Sequence, residues 1–251
     1  MAYILTIDRG NSATKVDVWQ EDKLLTQKLL KTPNPAAFKR VVERYGITRA
    51  IYCSVADDGS EMSAQLADLG VETLILRPDT PTPLVIDYAT PATLGVDRLA
   101  AAVGAWSKFP GAEILVVDLG TAITYDRVTP DGRYIGGNIA PGVTMRLKAL
   151  SAFTARLPHI PIDGDNPMWG YDTATALRSG ALHGIVGELS YYRSLLTPSV
   201  KVVLTGGTSP RIFPLLDFEV SLDPHLVTRG LNAILNFNST TDNHISADET
   251  Q

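Results

Sequence analysis

The sequence predicts an α/β protein made from a duplicated unit: two similar domains with a cleft between them. Two observations carry that expectation. The segment Tyr3-Ile4-Leu5-Thr6-Ile7-Asp8-Arg9-Gly10-Asn11-Ser12-Ala13-Thr14-Lys15 is echoed by Ile114-Leu115-Val116-Val117-Asp118-Leu119-Gly120-Thr121-Ala122-Ile123-Thr124-Tyr125. Each is an apolar run, then Asp-x-Gly, then small and hydroxyl residues entering a second strand pattern, and the two lie about a domain apart. The rest of the chain alternates short apolar runs with stretches of helical spacing.

Taken in order, Lys15–Trp19 alternates polar and apolar, Glu21-Asp22 turns, and Lys23–Lys28 continues as a further strand. Phe38, Val41, Val42 and Tyr45 give helical spacing over 35–45. The runs at 50–55, 73–76 and 200–205 read as short buried strands. Ile123–Val128 reads as a strand, Pro130-Asp131-Gly132 as a tight turn, and Arg133–Gly137 as its continuation. Helical patterns cover 96–108, 143–156, 173–196 and 226–237. These elements divide the chain into a first domain over 1–112 and a second over 113–238, with a polar tail over 239–251 expected to be disordered.

Composition limits the function. The chain has 251 residues, 45% of them apolar and 20% charged, enough to build a sizeable core. A net charge of -5 without a basic cluster gives no footprint for nucleic acid or an anionic membrane. No apolar run approaches the roughly 18 residues that span a bilayer, and the N-terminus reads as a strand, not a signal peptide. Cys53 is the single cysteine, which excludes an internal disulfide and suits a reducing cytoplasm. It lies in an apolar run and reads as a buried structural thiol. The four histidines show no metal-ligand spacing.

The chemistry is expected at the two Asp-x-Gly turns. Gly10 and Gly120 let backbone N–H groups approach a phosphate closely, and Asn11, Ser12, Thr14, Thr121 and Thr124 supply neutral donors. Asp8 and Asp118 can hold a hydrated cation near phosphates. Both turns join strands of a hairpin rather than opening a helix, and no Gly-Lys-Ser/Thr sequence occurs, which excludes Rossmann and P-loop readings. Asp97 begins a strongly helical stretch. It is either a helix N-cap or first-turn acid favoured by the helix dipole, or a base that accepts a proton from an attacking alcohol. Arg98 beside it would bind an anionic or carbonyl group of a substrate. Gly136–Gly142 is either a tight turn before a helix or a small-residue wall against a ligand. Gly206-Gly207 is either a tight βα turn or a surface for an adenosine.

Together these segments resemble type III pantothenate kinases, of the acetate kinase/sugar kinase/heat-shock/actin superfamily. The resemblance rests on Asp8-Arg9-Gly10-Asn11-Ser12, Gly95-Val96-Asp97-Arg98, Asp118-Leu119-Gly120-Thr121-Ala122, Gly136–Gly142, Gly170-Tyr171-Asp172-Thr173 with Ser179-Gly180, and Thr205-Gly206-Gly207. It implies an actin-like (ribonuclease H-like) fold and phosphorylation of pantothenate to 4′-phosphopantothenate in coenzyme A synthesis. It also implies that Asp8, Arg9, Gly10, Asn11, Ser12, Ala13, Thr14 and Lys15 hold ATP phosphates with Thr121. Asp97 is then the base; Tyr88, Gly95, Val96, Asp97, Arg98 and Thr173 line the pantothenate pocket. Asp118 is implied to ligate potassium or ammonium, required besides Mg²⁺, and the protein to be a homodimer. Ser12 replaces the family's usual Thr and keeps its hydroxyl. Arg9 puts a bulky cation beside the phosphate turn, either facing solvent or adding charge at the nucleotide. Another small-molecule kinase of the superfamily, or a non-catalytic nucleotide-binding regulator, is the alternative reading.

Overall fold

A computed structural model describes residues 3–10, 13–31 and 35–248, and in it the apolar runs become the central strands of two sheets. The first unit comprises residues 1–110, 132–134 and 225–251. Its strands are β1 (Tyr3–Arg9), β2 (Thr14–Gln20), β3 (Lys23–Leu30), β4 (Arg49–Ser54) and β5 (Glu72–Ile75), in the order β3-β2-β1-β4-β5. The hairpin strands β1, β2 and β3 are antiparallel, whereas β4 joins β1 and β5 joins β4 in parallel. Helix α1 (Pro35–Tyr45) supplies the crossover before β4, and α2 (Ser60–Ala67) the one before β5. Leu5, Ile7, Val16, Val18, Phe38, Val41, Ala50, Tyr52 and Leu66 form one buried cluster beneath this sheet.

The second unit comprises residues 111–131 and 135–224. It repeats the plan with β7 (Ile114–Leu119), β8 (Ala122–Val128), β9 (Arg133–Pro141), β10 (Lys201–Thr205) and β11 (Ser221–Leu222). Their order is β11-β10-β7-β8-β9, with β7 and β8 antiparallel and β10 parallel to β7. Read from the hairpin end, both sheets have the same strand order and the same change from antiparallel to parallel pairing. The duplication inferred from the two Asp-x-Gly segments is therefore a duplication of topology. A two-residue strand, β6 (Val85–Ile86), runs parallel to the opening residues of β9. Helices α4 (Val143–Phe153), α5 (Thr173–Ser194) and the short α6 (Ser209–Ile212) cover the second core, which includes Val117, Leu119, Ile123, Val143, Leu182, Ile185 and Leu204.

The structure corrects three expectations. Residues 225–238, assigned from sequence to the second domain, belong to the first unit, where α7 (Leu226–Asp248) packs on α3 (Val96–Lys108). Two glycines allow it: a Cβ on Gly230 would meet the Ala100 carbonyl oxygen at 1.8 Å, and one on Gly104 the Leu226 oxygen at 2.2 Å. The tail expected to be disordered from Ser239 is helical as far as Asp248, since no glycine or proline follows Gly230 to end the helix. The strand expected over Arg133–Gly137 runs on to Pro141, so the stretch read as a possible turn before the helix is strand, because Gly137 lets β9 press onto β8, where a Cβ would meet the Tyr125 oxygen at 1.8 Å. The short α2 went unread because only Met62 and Leu66 face inward, too few to mark a helical period. Among the described residues no helix is long and apolar enough to cross a membrane.

A buried carboxylate closes the base of the second sheet. Glu113 is 6% exposed. Its Oε1 accepts from Arg127 Nε and Nη2 at 2.9 and 2.6 Å, and its Oε2 from the Thr197 amide and hydroxyl at 2.9 and 2.6 Å. Burial alone would push this carboxyl up, but the Thr197 and Arg127 donors together outweigh it and hold it below its ordinary value of 4.5.

Two outcomes follow for stability. Gly230→Ala should cost about 1–3 kcal/mol or more by forcing α7 off α3, read as a lower melting temperature. A depressed carboxyl stabilises above its unfolded-state value, and that stabilisation is lost as the carboxyl protonates. Glu113→Gln should therefore melt below the parent at neutral pH. The gap between the two should narrow as the pH falls through 4.5 and below.

Candidate functional site

In the first unit the site grows from the carboxy end of the central strand. Asp8 is the penultimate residue of β1, in register with Lys15 on β2 and Cys53 on β4. Beyond Arg9 the chain turns at Gly10, whose N–H donates to the Ala13 carbonyl oxygen at 3.1 Å. Ala13 is half-buried, Thr14 is buried at the start of β2, and Lys15 is half-buried beside it. Asn11 and Ser12, expected to supply donors, lie outside the described residues.

Asp97 reaches the same place from α3. Gly95 occupies the cap position of that helix and Asp97 its first turn, where Asp97 Oδ1 accepts from the Arg98 N–H at 2.8 Å. Asp97 is therefore not the cap residue of its helix. Cys53 marks where the two acids converge. Its thiol is completely buried, and burial, followed by the negative charges of Asp8 and then Asp97, pushes it well above the usual thiol range. A thiol held neutral in this way is not a nucleophile. Asp8 and Asp97, far apart in sequence, both bear on it by charge, Asp8 from the neighbouring strand and Asp97 from the first turn of α3.

The expected substrate-pocket residues of the first unit also gather. Arg98 is 6% exposed, and its guanidinium lies 5.8 Å from the centroid of the Tyr88 ring. That ring meets Tyr134 edge-on at 6.2 Å, while Arg133 holds Asp87 through Nε at 2.6 Å, so the segment bearing Tyr88 is fixed by the start of β9. Val96 is buried at the start of α3. A Cβ on Gly95 would sit 2.7 Å from Asp97 Oδ1, so glycine is what lets the carboxylate fold back over the helix start.

In the second unit Asp118 is penultimate in β7, as Asp8 is in β1. Three glycines crowd it and the turn that follows. A Cβ on Gly206 would meet Asp118 Oδ1 at 2.4 Å and the Leu119 nitrogen at 2.6 Å, and one on Gly142 would meet the Gly120 and Thr121 carbonyl oxygens at 2.4 and 2.5 Å. A Cβ on Gly120 would lie 3.2 Å from the Ala122 oxygen and 3.5 Å from Asp118 Oδ1. The Gly142 N–H donates to the Thr121 oxygen at 3.0 Å, and the Thr208 hydroxyl and N–H donate to the Leu119 oxygen at 2.7 and 3.0 Å. The second Asp-x-Gly turn is therefore clamped by the end of β9 and by the turn after β10. Thr173 is exposed at the start of α5, whose cap is Asp172 with a reciprocal Thr175 bond pair.

Sequence reasoning missed Asp57. Tyr52 Oη donates to Asp57 Oδ1 at 2.9 Å, and Arg9 forms an ion pair with Asp57 Oδ2. Arg9 therefore neither faces open solvent nor points freely along the phosphate turn. The only sequence signal was the run Ser54-Val55-Ala56-Asp57-Asp58-Gly59, polar enough to be a loop but silent on its partner.

Glycine requirements at the second turn can be separated by substitution. Gly206 has φ of +90°, so Gly206→Ala carries both backbone strain and the clash on Asp118 and should cost about 1–3 kcal/mol in thermal or denaturant unfolding. Gly207→Ala, whose Cβ would meet nothing within 4 Å, should stay within about 0.5 kcal/mol of the parent.

Comparison with known proteins places this arrangement. The family description "Type III pantothenate kinase" matches residues 4–194. A type III pantothenate kinase of Bacteroides fragilis is 41% identical over 238 residues, covering 94% of this chain and 98% of its own. That of Porphyromonas gingivalis is 38% identical over 244 residues, covering 95% and 100%. Among solved structures, a Campylobacter jejuni protein described as a Baf family transcriptional activator aligns with a TM-score of 0.61 at 23% identity, covering 94% of this chain and 99% of its own. A Listeria monocytogenes protein described as an N-acetylmannosamine kinase aligns at 0.53 with 14% identity, covering 95% and 99%. These structural likenesses carry the fold, which is the duplicated actin-like one; the match over residues 4–194 and the two relatives carry more, and the chain belongs to the type III pantothenate kinase family.

Proposed function

We propose that this chain transfers the γ-phosphoryl group of ATP to the primary hydroxyl of pantothenate, giving 4′-phosphopantothenate and ADP, with Asp97 as general base. What supports the mechanism is that Cys53, in register with Asp8 on the neighbouring strand, feels the negative charges of both Asp8 and Asp97, which is in keeping with a carboxylate of α3 acting near the phosphate turn. Phosphoryl transfer of this kind passes through a loose transition state, so the alcohol loses its proton late. An ordinary carboxylate suffices to accept that proton as the oxygen–phosphorus bond forms. The backbone N–H groups and hydroxyls of residues 8–15, with Thr121, would hold the phosphates. The buried Arg98 guanidinium, stacked near Tyr88, would orient the substrate's carboxylate or amide beside Gly95 and Val96, and Thr173 of the second unit is assigned to the substrate by the family resemblance alone.

A singly charged cation would be held at the second turn by the Asp118 carboxylate, which the glycine backbones at Gly206 and Gly120 leave room to approach. Potassium or ammonium at Asp118 would offset phosphate charge, while Mg²⁺ would arrive with the nucleotide. A homodimer is in keeping with the nearly complete exposure of Phe153 and Trp169, at 88% and 87%.

The test is turnover of pantothenate against a panel of sugars and acetate, with ATP, Mg²⁺ and potassium present. Phosphorylation of a different acceptor would move the assignment to another kinase, and ATP binding without turnover of any acceptor would favour a regulator. Asp97→Asn should lower kcat by about 10²- to 10⁴-fold while ATP affinity, measured by calorimetry, stays close to that of the parent. Near-normal turnover in that variant would reduce Asp97 to a first-turn acid of α3.

A further inference from the structure

We propose that Asp57 is a positioning residue for the first phosphate turn and acts through Arg9. The inference rests on the reading of residues 8–15 as the ATP phosphate loop. Arg9 lies between Asp8 and Gly10, and both of its ends are tied to one short loop. Its carbonyl oxygen accepts from the Val55 N–H at 3.5 Å, extending the β1–β4 pairing, and its guanidinium donates to Asp57 Oδ2.

The loop that receives Arg9 is rigid without it. Ser54 Oγ accepts from the Ala56 and Asp57 N–H groups at 3.0 and 3.1 Å. Asp57 Oδ1 accepts from the Gly59 N–H and from Tyr52 Oη, both at 2.9 Å. The Tyr52 ring is completely buried, and Gly59, at φ of +76°, closes over it so tightly that a Cβ would lie 2.8 Å from Cδ1. A carboxylate fixed by two such donors offers Arg9 one position rather than many. Tying down the residue next to Asp8 removes freedom that nucleotide binding would otherwise have to freeze. The ion pair also directs the Arg9 charge to a carboxylate, leaving neutral backbone donors to define the turn. With side chains 36% and 30% exposed, the pair is partly screened, so its effect should be moderate.

The test uses the full-length protein. Asp57→Asn keeps an oxygen for the Gly59 and Tyr52 donors and removes only the charge that holds Arg9, so its melting temperature should match the parent's. Arg9→Ala breaks the pair from the other, half-exposed side, and so does not depend on how well the Asp57 variant folds. Each should raise the KM for ATP about five- to tenfold, and in Asp57→Asn kcat at saturating ATP should stay within about twofold of the parent. The double variant should be no worse than the weaker-binding single one, since both remove one interaction. Wild-type KM in Asp57→Asn overturns the proposal, as do effects that multiply in the double variant. A raised KM in Arg9→Ala alone overturns it too, because Arg9 would then touch the phosphates itself. A parent protein that binds no ATP overturns the phosphate-loop reading beneath it, whereas a parent that binds ATP beside an unaffected Asp57→Asn overturns this proposal only.

Discussion

Each unit depends on a central strand that is hydrogen-bonded on both sides and cannot be moved. β1 is held by β2 antiparallel and by β4 parallel, and β7 by β8 and β10 in the same way. Leu5, Ile7, Val116 and Val117 along these strands are at most fractionally exposed, so any sliding would expose an apolar face or turn it over. A side chain near the carboxy end of such a strand inherits its fixity. Asp8 and Asp118 hold that place, where regular pairing gives way to a glycine turn and backbone N–H groups become available to a ligand.

Close backbone contact is the second constraint, and glycine meets it. Gly206 and Gly142 let two other segments touch the Asp118 turn at distances no Cβ would permit, while Gly104 and Gly230 do the same for α3 and α7. The second pair bears on the chemistry indirectly. α3 carries Asp97 and Arg98 on its first turn, and its tight seating against α7 fixes where those side chains begin. A helix held by loose side-chain packing could shift by an ångström, enough to spoil proton transfer.

Charge at the first turn is managed rather than accumulated. The charges of Asp8 and Asp97 bear on a thiol that burial keeps neutral, and Arg9 is drawn to Asp57. The buried Asp17 of β2 shows what an acid costs without such help. Its Oδ2 accepts from Thr228 and contacts His225, its Oδ1 has no hydrogen-bond partner among the described residues, and burial, opposed by those two neighbours, raises its carboxyl above the usual range.

Local pattern was enough to read most of the fold. The apolar runs, the period-2 alternation after each Asp-x-Gly and the helical spacings located β1, β2, β4, β7, β8, β10, α1, α3 and α5, because those features arise from neighbours in sequence. Asp8, Asp97 and Asp118 were legible as candidates for the same reason, as were Gly95 and Gly206. Assignment of α7 to the first unit, the extension of β9 beyond Gly137 to Pro141 and the Arg9–Asp57 pair were not legible. Each depends on which distant backbone comes within contact distance, and a glycine in the sequence does not name the carbonyl it will touch. By itself the sequence determined a duplicated α/β chain with an acid at the end of each central strand. Only the tertiary structure decided that the charges of Asp97 and Asp8 would bear on the same buried thiol, because that is set by the docking of α3 on α7 and on β4, and not by anything within a helical turn of either residue.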